Sequence, residues 1–132
     1  MQRTWRPILN PWTDCIRSGG FILVLVLCAC SSHTPADLHE ASRESGRLLI
    51  EQYGCGTCHT VPGVRTATGK LAPPLSKFAR RVYIAGSLPN DPDVLTRWIQ
   101  HPQELVPATT MPDLGVSEQH ARDMAAYLYS LR

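Results

Sequence analysis

The sequence has no apolar run long enough to cross a bilayer as a stable helix. Its most apolar stretch, Gly20-Phe21-Ile22-Leu23-Val24-Leu25-Val26-Leu27, falls well short of the about 20 residues that a span needs. Aromatic residues are few, 7% of the chain, and there is neither a basic stripe nor an aromatic platform for stacking bases. Nucleic acid is therefore not an expected partner. Strand-like alternation of apolar and polar residues is lacking, as is any internal repeat. With 132 residues the chain has room for one small domain and not for two. Charge of one sign does not dominate either: from Cys30 onward, ten Lys/Arg stand against ten Asp/Glu. That balance does not indicate whether a protein partner is acidic or basic.

What is present begins at the N-terminus. Arg3, Arg6 and Arg17 against Asp14 precede the short apolar run, the layout of a secretory signal. The basic region is longer than usual for one. The run ends in Leu27-Cys28-Ala29-Cys30-Ser31, which resembles a bacterial lipobox. The resemblance implies that residues 1–29 are a signal peptide cleaved before Cys30, that Cys30 carries the lipid, and that 30–36 tether a domain over 37–132. Cys28 is a poorer lipid acceptor because Leu27 before it is bulky. Cleavage by the ordinary signal peptidase and retention as an anchor helix are the alternatives. Ser31 after the cysteine resembles lipoproteins sent to the outer membrane. The expected location is the periplasmic face of a bacterial membrane, inner or outer.

The chemistry is concentrated in residues 55–59, Cys-Gly-Thr-Cys-His. Two thiols three positions apart can each add across a haem vinyl group, and the next residue then offers its imidazole to the iron. C-x-x-C-H is the signature of c-type haem attachment. Cys55 and Cys58 are expected to hold one covalent haem c, and His59 to be the first axial ligand. Cysteine use agrees: Cys15 and Cys28 leave with the signal, Cys30 takes the lipid, and no thiol is left over for a disulfide.

The rest of the chain reads as helical. A first helix is predicted over about Pro35 to Tyr53, stopped by Gly54, with Leu38, Ala41, Ser45, Leu48, Leu49 and Tyr53 on one face. Gly54 and Gly56 permit a sharp turn into the thiol pair. Residues 60–79 are irregular, broken by Pro62-Gly63, Gly69 and Pro73-Pro74. Ser76 to about Ala85 is predicted as a short helix. A further helix starts at Asp91-Pro92-Asp93 and ends before Pro102. A proline-rich loop then covers 102–116. The last helix has Ser117 as N-cap and runs to Leu131, with apolar positions 121, 124, 125, 128 and 131 at helical spacing.

The sixth ligand is sought among Met111, Met124, His33, His39, His101 and His120. Met124 lies on the apolar face of the last helix, where methionine is usually core filler. Met111 sits in a proline-stiffened loop, Pro107-Ala108-Thr109-Thr110-Met111-Pro112, and is the expected ligand. Thioether and imidazole together suit electron transfer: they raise the potential and fill both axial positions.

From about Gly46 to Leu131 the chain resembles a class I, single-haem cytochrome c domain. It is most similar to the one fused to subunit II of some haem–copper oxidases. The residues that carry the likeness are Tyr53 to Thr60, Ile84-Ala85-Gly86-Ser87-Leu88-Pro89-Asn90, Leu95 to Pro102, Pro107 to Pro112, and Ala125-Ala126-Tyr127-Leu128. It implies an all-α cytochrome c fold, three or more helices packed around one haem. By the same likeness, the Pro73 carbonyl accepts a hydrogen bond from His59 Nδ1 and Trp98 packs on the haem near the methionine side. Gly46 and Tyr127 then mark the crossing of the first and last helices. The family usually has glycine before that proline; Ala72 stands there here, so the loop must avoid positive φ. Arg80, Arg81 and Tyr83 are expected near a propionate, which Arg matches with its planar fork.

The function implied is a single-electron carrier and not an enzyme. Its redox partners would be a terminal oxidase, a dehydrogenase or a cytochrome complex, and its membrane contact would run through the N-terminal lipid. Two other classes compete with it. A peroxidase-like catalyst or gas sensor would need a labile distal site with an acid or base nearby. A thiol redox pair would need a βαβ context, and a zinc site would need two further ligands at close spacing.

Overall fold

The computed structural model describes residues 35–132, with side chains from His39 onward except Ala41. The signal peptide expected over 1–29, the lipid site expected at Cys30, His33 and most of the expected tether lie outside the described residues. Among the described residues no helix is long and apolar enough to cross a membrane.

The described chain is mostly helical. It runs α1 (Pro35–Gln52), β1 (Tyr83–Ile84), β2 (Leu88–Pro89), α2 (Pro92–Gln100), α3 (Pro102–Leu105) and α4 (Glu118–Ser130). Short 3-10 turns sit at Cys55–Thr57 and Phe78–Arg80. The helix starts follow local chemistry. Asp91 accepts hydrogen bonds from the amides of Asp93 (3.0 Å) and Val94 (3.3 Å), with Pro92 in the first turn. Ser117 accepts from the His120 amide at 3.3 Å. Each bond satisfies an amide that the helix itself leaves without a partner.

α1 and α4 cross in close contact, and this crossing organises the core. A Cβ built on Gly46 would lie 1.9 Å from the Asp123 carbonyl oxygen and 2.9 Å from the Met124 nitrogen. Only a residue without a side chain allows the two backbones this approach. Asp123 is buried, and its carboxylate accepts from Ser42 Oγ (2.8 Å), Ser45 Oγ (2.9 Å) and Gln119 Nε2 (3.0 Å). Two of these donors, Ser42 and Ser45, sit on α1 in the turn that precedes Gly46, so the network holds the crossing in register. Burying a carboxylate is unfavourable unless its lone pairs are filled, and here three donors fill them.

The predicted face of α1 is rotated in the structure. Leu48, expected inside, is 50% exposed, whereas Ile50 is 2% exposed. With Gly46 against α4, positions three and four further on, Leu49 and Ile50, must point inward, and Leu48 must point away. On α4 the predicted positions Ala121, Met124, Ala125 and Leu128 are buried, and Leu131 packs partly against them. Tyr127 lies one turn beyond the crossing and donates its hydroxyl to the Pro62 carbonyl at 2.6 Å. α2 adds Leu95, Trp98 and Ile99 to the same core.

Two further expectations fail locally. The helix predicted over Ser76–Ala85 is only the 3-10 turn at Phe78–Arg80, followed by a two-stranded hairpin where no strand was predicted. Tyr83 pairs with Pro89 and Ile84 with Leu88, antiparallel, around Ala85 (φ 48) and Gly86 (φ 80). Asn90 explains the early stop. Its Nδ2 donates to the carbonyls of Phe78 (3.1 Å) and Arg81 (2.9 Å), the acceptors that a continuing helix would have used. The loop predicted over 102–116 opens with the short helix α3, because Pro102 suits a first helical position.

Tyr129 donates to Asn90 Oδ1 at 2.9 Å and so ties α4 to this segment. Burial raises the pKa of Tyr127 and Tyr129 above the ordinary 10.0, with Arg47 opposing part of the effect at Tyr127. Both phenols must stay protonated to donate. A folded-state pKa above the unfolded one gives stability that is complete below pH 10 and is lost as pH rises through the raised value. Unfolding by urea is therefore expected to become easier above about pH 10. Tyr127→Phe and Tyr129→Phe should each cost about 1 kcal/mol at neutral pH and show a shallower alkaline loss than the parent. An alkaline limb identical in all three proteins would show that neither phenol contributes.

Candidate functional site

The thiol pair is placed by a change of backbone direction at the end of α1. Gly54, at φ 70, closes the helix, and the chain enters the Cys55–Thr57 turn. The amides of Cys58 (3.3 Å) and His59 (3.0 Å) both donate to the Cys55 carbonyl, so the two sulfurs and the imidazole are carried on one tight, hydrogen-bonded turn. Both thiols are half-buried and unbridged.

A second segment wraps this turn. Gly69 N–H donates to the Gly56 carbonyl (2.9 Å), Ala72 N–H to that of Cys58 (3.0 Å), and Leu75 N–H to that of Thr60 (2.8 Å). Thr60 Oγ1 returns a bond to the Gly69 carbonyl at 2.8 Å. A Cβ on Gly56 would lie 2.4 Å from Ala67 Cα, and one on Gly69 would lie 2.4 Å from the Thr57 carbonyl oxygen. The expectation that Gly56 serves a sharp turn is corrected: its φ is not positive, and its role is to let a neighbouring backbone come close. Gly69 has the same role, and only its contact partner, distant in sequence, reveals it. Ala72 takes a negative φ, since positive φ outside glycine is confined to Lys77 and Ala85 among the described residues.

His59 Nδ1 lies 2.7 Å from the Pro73 carbonyl oxygen. A carbonyl can only accept, so Nδ1 carries the proton and Nε2 keeps its lone pair. That arrangement orients the ring and leaves Nε2 to face a metal, as a hydrogen bond behind a metal-binding histidine does. Arg81 steadies the same loop: its guanidinium donates to the Pro74 carbonyl, reaches that of Ser76 at 3.4 Å, and lies 5.2 Å from the Phe78 ring centre.

The other expected residues are distributed as follows. Met111 is half-buried and packs against the edge of the core. Met124 is 1% exposed, deep in the α1–α4 interior. Trp98 is buried on α2, Tyr83 is exposed on β1, and Arg80 is exposed. Of the histidines, His120 Nδ1 shares a hydrogen bond with the Tyr53 hydroxyl at 2.9 Å. His101 Nδ1 faces Asp113 Oδ2 at 3.4 Å, and His39 is exposed. The Gly115 amide, and then His101, hold the Asp113 carboxyl below the usual carboxylate range.

The donor set fits a covalently attached haem. Two free thiols stand on one turn, an imidazole has its Nε2 lone pair available, and a thioether sits at the rim of the apolar core. Other uses of the thiols fit less well. Burial pushes the Cys55 thiol above its ordinary pKa, whereas a reactive redox thiol is lowered. Among the described residues no three His, Cys, Asp or Glu side chains converge as an ion-binding group.

Over 94 residues the sequence is 37% identical to the cytochrome c oxidase subunit 2 of Alkalihalophilus pseudofirmus (strain ATCC BAA-2126 / JCM 17055 / OF4). The chain is related to an oxidase subunit 2. The alignment covers 70% of this chain and 27% of the relative, so the chain spans about a quarter of that subunit's length. No family model and no solved structure matches the chain.

Proposed function

We propose that the chain is a single-haem c-type cytochrome module with the cytochrome c fold, carrying one electron at a time in a respiratory chain. Cys55 and Cys58 would hold the haem through two thioether bonds, and His59 Nε2 and the Met111 thioether would be the protein groups that bind its iron. The haem supplies a one-electron iron couple. The observation that carries the reading is the commitment of His59 Nδ1 to the Pro73 carbonyl, on the turn that bears two unbridged thiols.

The chain's own residues have separate tasks. The Pro73 carbonyl keeps the His59 proton on Nδ1 and the ring in one orientation. The close approaches at Gly56 and Gly69 make the thiol turn rigid, so little rearrangement would accompany a change of charge. Trp98 would pack on the haem near the methionine side, while Arg81 and Tyr83 would balance propionate charge at the surface. A thioether at Met111 leaves no easy entry for oxygen or peroxide, which favours transfer over catalysis.

The relative's name adds a direction: the electron passes to a terminal oxidase, as a separate carrier or as part of its assembly. A lipid on Cys30 would hold the module at the periplasmic face and raise its effective concentration beside membrane partners.

Haem staining of denatured protein tests the attachment. Protein made with a haem-attachment system is expected to keep its colour through denaturation and acidic acetone, and Cys55→Ala/Cys58→Ala to lose it. A colourless parent would end the proposal.

A further inference from the structure

The strap that carries Met111 is tied to the corner where α2 meets α3. Gln100 Nε2 donates to the Val116 carbonyl at 3.4 Å, His101 Nδ1 faces Asp113 at 3.4 Å, and Gln103 Nε2 donates to the Met111 carbonyl at 2.7 Å. The first two contacts are near the outer limit of a hydrogen bond, and the third is short. On its other side, the Met111 amide donates to Thr109 Oγ1 at 3.2 Å, and the Thr109 amide to the Val106 carbonyl at 3.0 Å. Both peptide groups of Met111 are thus held, one by its own loop and one by Gln103.

Gln103 is exposed, so burial contributes little to its placement. Ordering a long polar side chain at the surface costs rotamer entropy. What that order secures is the main chain of Met111, the one methionine in a loop among the described residues.

We propose that Gln103 is a positioning residue for Met111: its amide holds the strap shut and keeps the thioether at the iron. The proposal rests on the His59/Met111 reading. The strap has a closed arrangement and an open one, and the Gln103 bond favours the closed one. An external ligand that needs the thioether displaced binds only to the open arrangement, so its affinity reports the open fraction.

The test uses the oxidised holoprotein titrated with imidazole and followed by its visible spectrum. Gln103→Leu removes the donor. Gln103→Glu keeps the length but turns only acceptors toward a carbonyl. Both are expected to bind imidazole about five-fold more tightly, the ratio that one ordinary net hydrogen bond supports. Gln103→Lys restores a donor at similar reach and is expected to return the affinity toward that of the parent. Parental affinity in both Gln103→Leu and Gln103→Glu, or equal tightening in Gln103→Lys, would overturn the proposal. Met111→Ala, titrated alongside, separates the two levels. If it binds imidazole no better than the parent, the axial assignment and the clamp fall together. If it gains affinity and the Gln103 variants do not, only the clamp falls.

Discussion

Met111→Ala is expected to lower the midpoint potential and to open the reduced protein to carbon monoxide. The thioether favours Fe(II) because it is a soft, neutral donor, and its loss leaves water or nothing in its place. Axial ligands govern potentials over ~0.8 V, so a fall of on the order of 0.1–0.3 V is anticipated. Met124→Leu is the matched control. Met124 is more deeply buried than Met111, and a swap of similar volume should cost less than about 1.5 kcal/mol without altering the spectrum. Potentiometric titration of the three proteins with optical detection decides the matter. A Met111→Ala protein with the parent's potential and no carbon monoxide adduct would remove the thioether from the iron.

The largest effect on stability is expected at Gly46. The atoms that an added methyl group would meet are the carbonyl and amide of Asp123 and Met124, all backbone, so no side chain can swing aside. α1 and α4 would have to separate, and the hydrogen bonds from Ser42 and Ser45 to Asp123 would be stretched with them. Gly46→Ala is therefore expected to cost about 3–5 kcal/mol, at the upper end for a single substitution. Against a total of about 5–15 kcal/mol for a small domain, such a loss threatens folding itself. Gln52→Ala, exposed on the same helix, should stay within about 0.5 kcal/mol. Urea unfolding midpoints compare them, and a Gly46→Ala protein as stable as the parent would show that the two helices do not approach this closely.

The relation to an oxidase subunit 2 and the geometry at His59 come from independent observations. The first concerns ancestry over part of a longer relative. The second concerns a ring whose tautomer is set by the Pro73 carbonyl. The proposed haem-bearing electron carrier accommodates both.

By itself, the sequence determined what is encoded within a few residues. Asp91-Pro92 and Ser117 mark helix starts because capping bonds span two or three positions. The spacing of Cys55, Cys58 and His59 is by itself what points to haem attachment. Tertiary structure decided what depends on contacts between distant segments. Leu48 faces solvent and Ile50 the core because Gly46 meets Asp123, 77 positions away. A hairpin replaces the helix expected before Ala85 because Asn90 takes the carbonyls that the helix required. Gly56, Gly69, Asp123 and Gln103 carry no local signal, since each acts on a backbone or side chain that the fold alone brings near. Short-range hydrogen bonds leave their pattern in neighbouring residues; a close approach between remote segments leaves its mark only once both are in place.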